Sequence, residues 1–193
     1  MPREGALRLL IERWRELCAP SALAAFPEAP ARARLLGRPF IQNDGRLEIG
    51  PDLMMSSIPV TSHLVVSPGA LLRIGARVRI AHGVAISAAA EIEIGDDVDL
   101  GPFCMILDSD YHDRNDRDAA GPSKPIRIGR GARLGAGVVV LRGAIIGDGD
   151  EIQAGSVVSR RLPEGVIAAG VPARPLGPAR RGATPITSLD PSS

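Results

Sequence analysis

Aliphatic residues return at every sixth position through the second half of this chain. Ile128, Leu134, Val140, Ile146, Ile152 and Val158 form one unbroken run. Glycine follows the aliphatic at Gly129, Gly135 and Gly147, and four positions on stand Ala132, Val138, Ala144, Asp150 and Ser156, small in every case but Asp150. Earlier runs at the same interval are Ile74, Ile80, Ile86 and Ile92, and then Ile94, Leu100 and Ile106. An amphipathic helix repeats at about 3.6 residues and a half-buried strand at every second one. An interval of six fits neither alone. It fits short strands joined by tight corners, where glycine accepts a positive φ and small side chains let the chain turn. A unit so short cannot bury its own apolar face and must stack on its neighbours. Three such faces make a triangular coil of 18 residues, so the pattern predicts a mainly β chain wound as a parallel β-helix.

The Ile-Gly pairs test the coil length. Ile128 to Ile146 is 18 residues, Ile74 to Ile94 is 20, and Ile94 to Ile128 is 34, which exceeds one coil by 34 − 18 = 16. The excess predicts an inserted loop, and the repeat-free stretch from Asp108 to Pro125 is where it falls. Ahead of the coil, Leu7, Leu10, Ile11, Trp14 and Leu17 are spaced as one face of a short helix over 5–18, stopped by Pro20. The expected organisation is a helix and linker over 1–44, the coil over 45–174 with its loop at 108–125, and a mobile Pro-, Gly-, Arg- and Ser-rich tail over 175–193.

Composition narrows the interior. Five aromatics among 193 residues leave the core to Ile, Val, Leu and Ala, which suits narrow, regular slots. Lys plus Arg number 23 against 22 Asp plus Glu, so no basic stripe speaks for nucleic acid. Cys18 and Cys104 form no paired motif, and no apolar run reaches the roughly 18 residues of a membrane span. A cytoplasmic setting is expected.

The stretches Ile128 to Gly137, Ile146-Gly147-Asp148, Ala154 to Arg160 and Ala169-Gly170-Val171-Pro172-Ala173-Arg174 resemble the C-terminal half of hexapeptide-repeat acetyltransferases, the galactoside, maltose and capsular-polysaccharide O-acetyltransferases above all. The resemblance covers roughly Gly45 to Leu176. It implies a left-handed coil, against the usual right-handed crossover, acetyl-CoA as co-substrate, and a homotrimer whose acyl-CoA lies between neighbouring coils. It also implies a general base on the inserted loop, matched by His112 in Asp108-Ser109-Asp110-Tyr111-His112-Asp113. An imidazole suits the task, because a hydroxyl attacking a thioester must lose its proton near neutral pH. Asp110 and Asp113 flank His112, either placed to orient the ring or to favour its charged form. Asp110 is grouped with His112 as catalytic, and Tyr111, Asp113 and His82 as contacts to the acceptor.

By the same resemblance Ala136 and Ala154 lie along the pantetheine arm, with the Ala136 N–H polarising the thioester carbonyl. Ser159, Arg160 and Arg174 would meet the nucleotide end, where arginine suits phosphate. Two positions depart from the pattern. Arg133 stands where many relatives carry an aromatic, and Ala81, beside His82, stands where an asparagine often assists the acceptor. The expected activity is direct transfer of an acetyl group to a hydroxyl of a sugar, a polysaccharide unit or a small molecule. The alternative is a catalytically retired coil acting as a scaffold. A metal is not expected: the acid-rich loop lacks a glycine-centred calcium loop, and the spacing of His63, His82 and His112 does not match a carbonic anhydrase of this shape.

Overall fold

In a computed structural model, residues 31–112, 116 and 121–179 are described. They form a coil of parallel strands with three faces. The first turn is β1 (Arg34–Leu36), β2 (Phe40–Asn43) and β3 (Arg46–Ile49), and the second is β4 (Met54–Ser56), β5 (His63–Val66) and β6 (Leu71–Ile74). The third is β7 (Arg79–Ile80), β8 (Ala85–Ala88) and β9 (Glu91–Ile94), and the fourth is β10 (Asp99–Leu100), β11 (Met105–Leu107) and β12 (Ile126–Ile128). The fifth is β13 (Arg133–Leu134), β14 (Val139–Leu141) and β15 (Ile145–Ile146), followed by β16 (Glu151–Ile152), β17 (Val157–Val158), β18 (Val166–Gly170) and β19 (Ala173–Pro178). Face A stacks β1-β4-β7-β10-β13-β16-β18-β19, face B stacks β2-β5-β8-β11-β14-β17, and face C stacks β3-β6-β9-β12-β15.

The six-residue interval is the width of one face with its corner. Ile80, Leu100, Leu134 and Ile152 align on face A, Ile86, Ile106, Val140 and Val158 on face B, and Ile94, Ile128 and Ile146 on face C. All of them are buried, filling a narrow interior with aliphatic side chains. Each glycine after an aliphatic lies where the next coil's backbone passes: a Cβ on Gly135 would come within 2.6 Å of Ala154 N.

The coil begins earlier and ends later than the repeat predicts. β1 and β2 lie within 34–43, ahead of the expected start at Gly45, with Leu35 buried and Ile41 packed on the core. At the other end β19 turns back antiparallel on β18 and takes Pro175 to Pro178 into face A. The helix expected over 5–18 lies outside the described residues.

Candidate active site

The inserted loop leaves the coil between β11 and β12, at the edge where face B meets face C (the BC edge). It starts as a two-stranded arm. The Lys124 N–H donates to Asp108 O at 2.8 Å, Ser109 bridges Ser123 antiparallel, and the Asp110 N–H donates to Pro122 O at 3.2 Å. Gly121 lies against the backbone of His112, where a Cβ would meet His112 O at 2.6 Å. Glycine is needed there for close approach of the two strands.

Asp108 anchors this arm. It is fully buried, and its carboxylate accepts three backbone N–H bonds from the preceding turn, from Ala89 at 2.7 Å, Ala90 at 2.8 Å and Glu91 at 2.7 Å. Charge-assisted bonds of this kind are among the stronger ones in proteins. The Asp110 carboxylate lies 2.7 Å from Arg142 Nε, on the turn below. That ion pair ties the arm to the following coil. Tyr111, with φ +61°, and His112 are both exposed, and the His112 N–H donates to Asp110 O at 2.7 Å. Asp113 lies outside the described residues.

A second group occupies the opposite edge of face B, where it meets face A (the AB edge). His82, Pro102, Ala136 and Ala154 stack there turn upon turn. The stacking is carried by Phe103 N–H to His82 O at 3.1 Å, Gly137 N–H to Pro102 O at 2.8 Å and Gly155 N–H to Ala136 O at 2.8 Å. Ala136 and Ala154 are exposed, and their N–H groups donate to no described residue. Gly101 and Gly135 keep those N–H groups uncovered, since a Cβ on either would press on the alanine nitrogen. Arg174 pairs with Ala169 at the C-terminal end of face A, close to the same edge.

The structure thus divides the expected site between two edges. Asp110, Tyr111, His112, Ser159 and Arg160 lie on the BC edge, with Arg160 one 18-residue turn beyond Arg142. His82, Ala136, Ala154 and Arg174 lie at the AB edge. One corner and the strand Val139–Leu141, the width of a whole face, separate Ala136 from Arg142.

The three outer faces differ in kind. On face C, Glu48, Arg73, Glu93 and Arg127 form a ladder of ion pairs, with Arg73 Nε 2.8 Å from Glu48 and Arg127 Nε 3.4 Å from Glu93. A groove of about 430 Å³ on this face is lined by Arg73, Glu93 and Arg127 together with Arg130, Asp148 and Glu164. Arg73, Glu93, Arg127, Arg130 and Asp148 are already in ion pairs, which marks a solvated surface. On face A, Arg79 faces Asp99 and Arg133 pairs with Glu151 at 2.6 Å, so Arg133 is held in a cross-turn ion pair. Face B has no ion-pair ladder and is mostly apolar outside: one row is Phe40, His63, Ala85, Met105, Val139 and Val157, and the next is Gln42, Val65, Ser87, Leu107 and Leu141.

Phe103 escaped the sequence reading. It holds φ +62° at the corner position taken by Gly83 in the turn before and by Gly137 and Gly155 in the two turns after. A bulky L-residue costs about 1 kcal/mol or more in that region. Its ring meets His82 edge-on, with centroids 5.2 Å apart at 86°. The signal is present in the sequence as a phenylalanine where the neighbouring turns carry Gly83 and Gly137.

Cys104 faces the interior and its Sγ lies 3.2 Å from Gly135 O. Burial pushes its thiol up to about 12, which removes it as a nucleophile. In folded protein at pH 8, a thiol reagent is expected to leave Cys104 unmodified while labelling it fully in denaturant, as read by peptide mass spectrometry. Among the described residues no group of three or more His, Cys, Asp or Glu side chains is placed to hold a metal ion. No described helix is long and apolar enough to cross a membrane.

No family model matches the chain. It is 35% identical over 126 residues to nodulation protein L of Rhizobium meliloti, covering 58% of this chain and 69% of that one. It is 36% identical over 85 residues to the galactoside O-acetyltransferase of Escherichia coli, covering 43% of this chain and 42% of that one. The chain spans less than half the length of the first curated relatives it matches. Among solved structures, AntD, an N-acyltransferase from Bacillus cereus in complex with dTDP and 3-hydroxybutyryl-CoA, superposes with a TM-score of 0.70 at 19% identity. The match covers 85% of this chain and 89% of that one. The coil described above is the left-handed β-helix of such proteins.

Proposed function

The chain belongs to the hexapeptide-repeat acetyltransferases, and on that premise we propose that it is an acetyl-CoA-dependent O-acetyltransferase working as a homotrimer. The observation that carries the reading is the division of its candidate residues between the two edges of one apolar face. If face B of each of three copies faces a common axis, the AB edge of one copy meets the BC edge of the next, and the ring closes with three equal clefts. The apolar rows of face B are then covered, while the ion-pair ladders of faces A and C stay in water.

In each cleft one copy supplies Ala136 and Ala154, and the other supplies the arm with His112. The two alanine N–H groups lie one turn apart, about 4.8 Å, and are open to the thioester carbonyl and the pantetheine amides. Arg174 from one copy and Ser159 and Arg160 from the other border the C-terminal end of the cleft, where the nucleotide phosphates lie. The acceptor hydroxyl loses its proton to the His112 imidazole as its oxygen bonds to the thioester carbon. Negative charge gathers on the carbonyl oxygen, beside the Ala136 N–H. The carbon–sulfur bond then breaks and the CoA sulfur takes the proton back from the imidazolium. Asp110, paired with Arg142, positions the arm.

The test is release of free thiol from acetyl-CoA in the presence of a panel of sugars, alcohols and amines. Release with hydroxyl acceptors is expected. Release with amines alone would replace the O-acetyl reading, and none with any acceptor would leave the coil a scaffold.

A further inference from the structure

The AB edge continues beyond Ala136 toward the N-terminal turns, and its character changes there. One turn up stands Phe103, two turns up His82, and three turns up an exposed knuckle, Ile58-Pro59-Val60. The knuckle is built rather than loose. Ser62, fully buried, donates its hydroxyl to Ser56 O at 2.8 Å and accepts the Val84 N–H at 3.2 Å. Ser57 Oγ accepts the Ser62 N–H at 3.3 Å, closing the base of the turn. The pieces touch: a Cβ on Gly83 would sit 2.7 Å from the Phe103 ring and 3.4 Å from Val60 Cγ1. The result is a continuous wall whose one titratable side chain is His82. Ile58 is 47% exposed, Val60 42% and Phe103 50%.

From this wall we infer that the acceptor carries its hydroxyl on an apolar body, an aromatic or alicyclic group that lies against Phe103 and Val60. The inference rests on the proposed function. With the thioester at Ala136 and the rest of CoA running past Ala154, the attacking oxygen must come within about 3–3.5 Å of the thioester carbon. The side left open to it is the N-terminal one, along Phe103, His82 and the knuckle. A bare sugar or polyol would need several polar partners there, and this edge offers only the His82 imidazole and the Thr61 hydroxyl beside the apolar surfaces of Ile58, Val60 and Phe103. The charged ladders of the other faces show that the chain places polar side chains freely elsewhere. Phe103 adds a second, independent observation. The chain places a phenyl ring beside the transfer point, at a corner position that glycine takes in the turns directly above and below.

The experiment compares matched acceptors: methyl against phenyl glycosides of glucose and galactose, and ethanol against 2-phenylethanol. The kcat/KM ratio within each pair is expected to favour the phenyl member by at least tenfold, as burial of a ring implies. In the variants Ile58→Asp with Val60→Asp, and Phe103→Gly, the ratio is expected to fall toward one. Phe103→Gly is expected to keep or raise Tm, because glycine relaxes the positive φ, so loss of preference cannot be ascribed to unfolding. Equilibrium binding of the same pairs to the CoA-loaded protein gives a readout free of turnover. If thiol release fails everywhere but the phenyl compounds still bind at least tenfold tighter, the transferase reading falls and the apolar subsite stands. Equal affinity within every pair overturns the subsite. So does dissociation of the Ile58→Asp, Val60→Asp variant to monomers in light scattering, which would make the wall a contact between copies.

Discussion

Replacing His112 by alanine is expected to lower kcat by about a thousandfold while leaving the KM for acetyl-CoA close to that of the wild type. General-base catalysis by a positioned side chain is worth roughly 10²–10⁴ in rate. His112 stands on the arm at the BC edge, away from the Ala136 and Ala154 column. The geometry supports a sharper form of the same experiment. A second variant, Ala136→Trp, fills the AB edge and is also expected to be inactive, here through loss of acyl-CoA binding. Each variant retains the edge that the other has lost. Refolded together in equal amounts, they should recover about a quarter of wild-type activity, since one cleft in four then pairs an intact arm with an intact column. Mixtures with no activity above the separate variants would show that a single chain holds the whole site, and the trimer with its shared clefts would be discarded.

The second large effect concerns the arm's anchor. Asp108→Ala removes the acceptor of three N–H groups at once, those of Ala89, Ala90 and Glu91. Each buried donor left unmet costs about 1–3 kcal/mol. Partial access of water at that corner trims the sum, and a loss of about 3–5 kcal/mol is expected. Against a typical total of about 5–15 kcal/mol, that is severe. Urea titration followed by circular dichroism measures it. Because the same carboxylate fixes the root of the arm, surviving folded protein is expected to show a lower kcat as well. A loss below about 1 kcal/mol would mean that the three bonds are replaced by water at no cost, and the anchoring role would be abandoned.

The coil was legible because its period has no competing reading. Ile128 to Val158 at intervals of six cannot be one helix or one strand, and every one of those residues is buried as the period requires. β1 and β2 fall outside the expected coil although Leu35, Ile41, Leu47 and Leu53 are also six apart. They lack the following glycine, and Ile41 and Leu47 are only partly buried, so the pattern is thinner there. The arm was legible as an excess of length, which is why its position between β11 and β12 agrees with the arithmetic.

The site was less legible, for a physical reason. Spacing along the chain fixes which turn a residue belongs to, and the resemblance gave roles, but neither states which edge of the prism each role occupies. Ser159 and Ala154 are five residues apart and stand on opposite edges. Nor does a list of aspartates tell an anchor from an orienter. Asp108 turned out to be buried under backbone donors, and Asp110 to face Arg142. A single aromatic such as Phe103 carries no periodic signal, and its positive φ belongs to the folded backbone alone.

β19 carries one more implication. A parallel coil is a template for its own extension: each finished turn offers the next strand a ready row of amides and carbonyls, and an unfinished end invites another molecule to continue the stack into a fibre. On face A the chain ends that row itself. It reverses direction at Val171 and Pro172, lays β19 antiparallel on β18, and places Pro175 and Pro178 in the outermost strand. Proline offers no amide hydrogen to a newcomer, so this face resists polymerisation by the same pairing that built it.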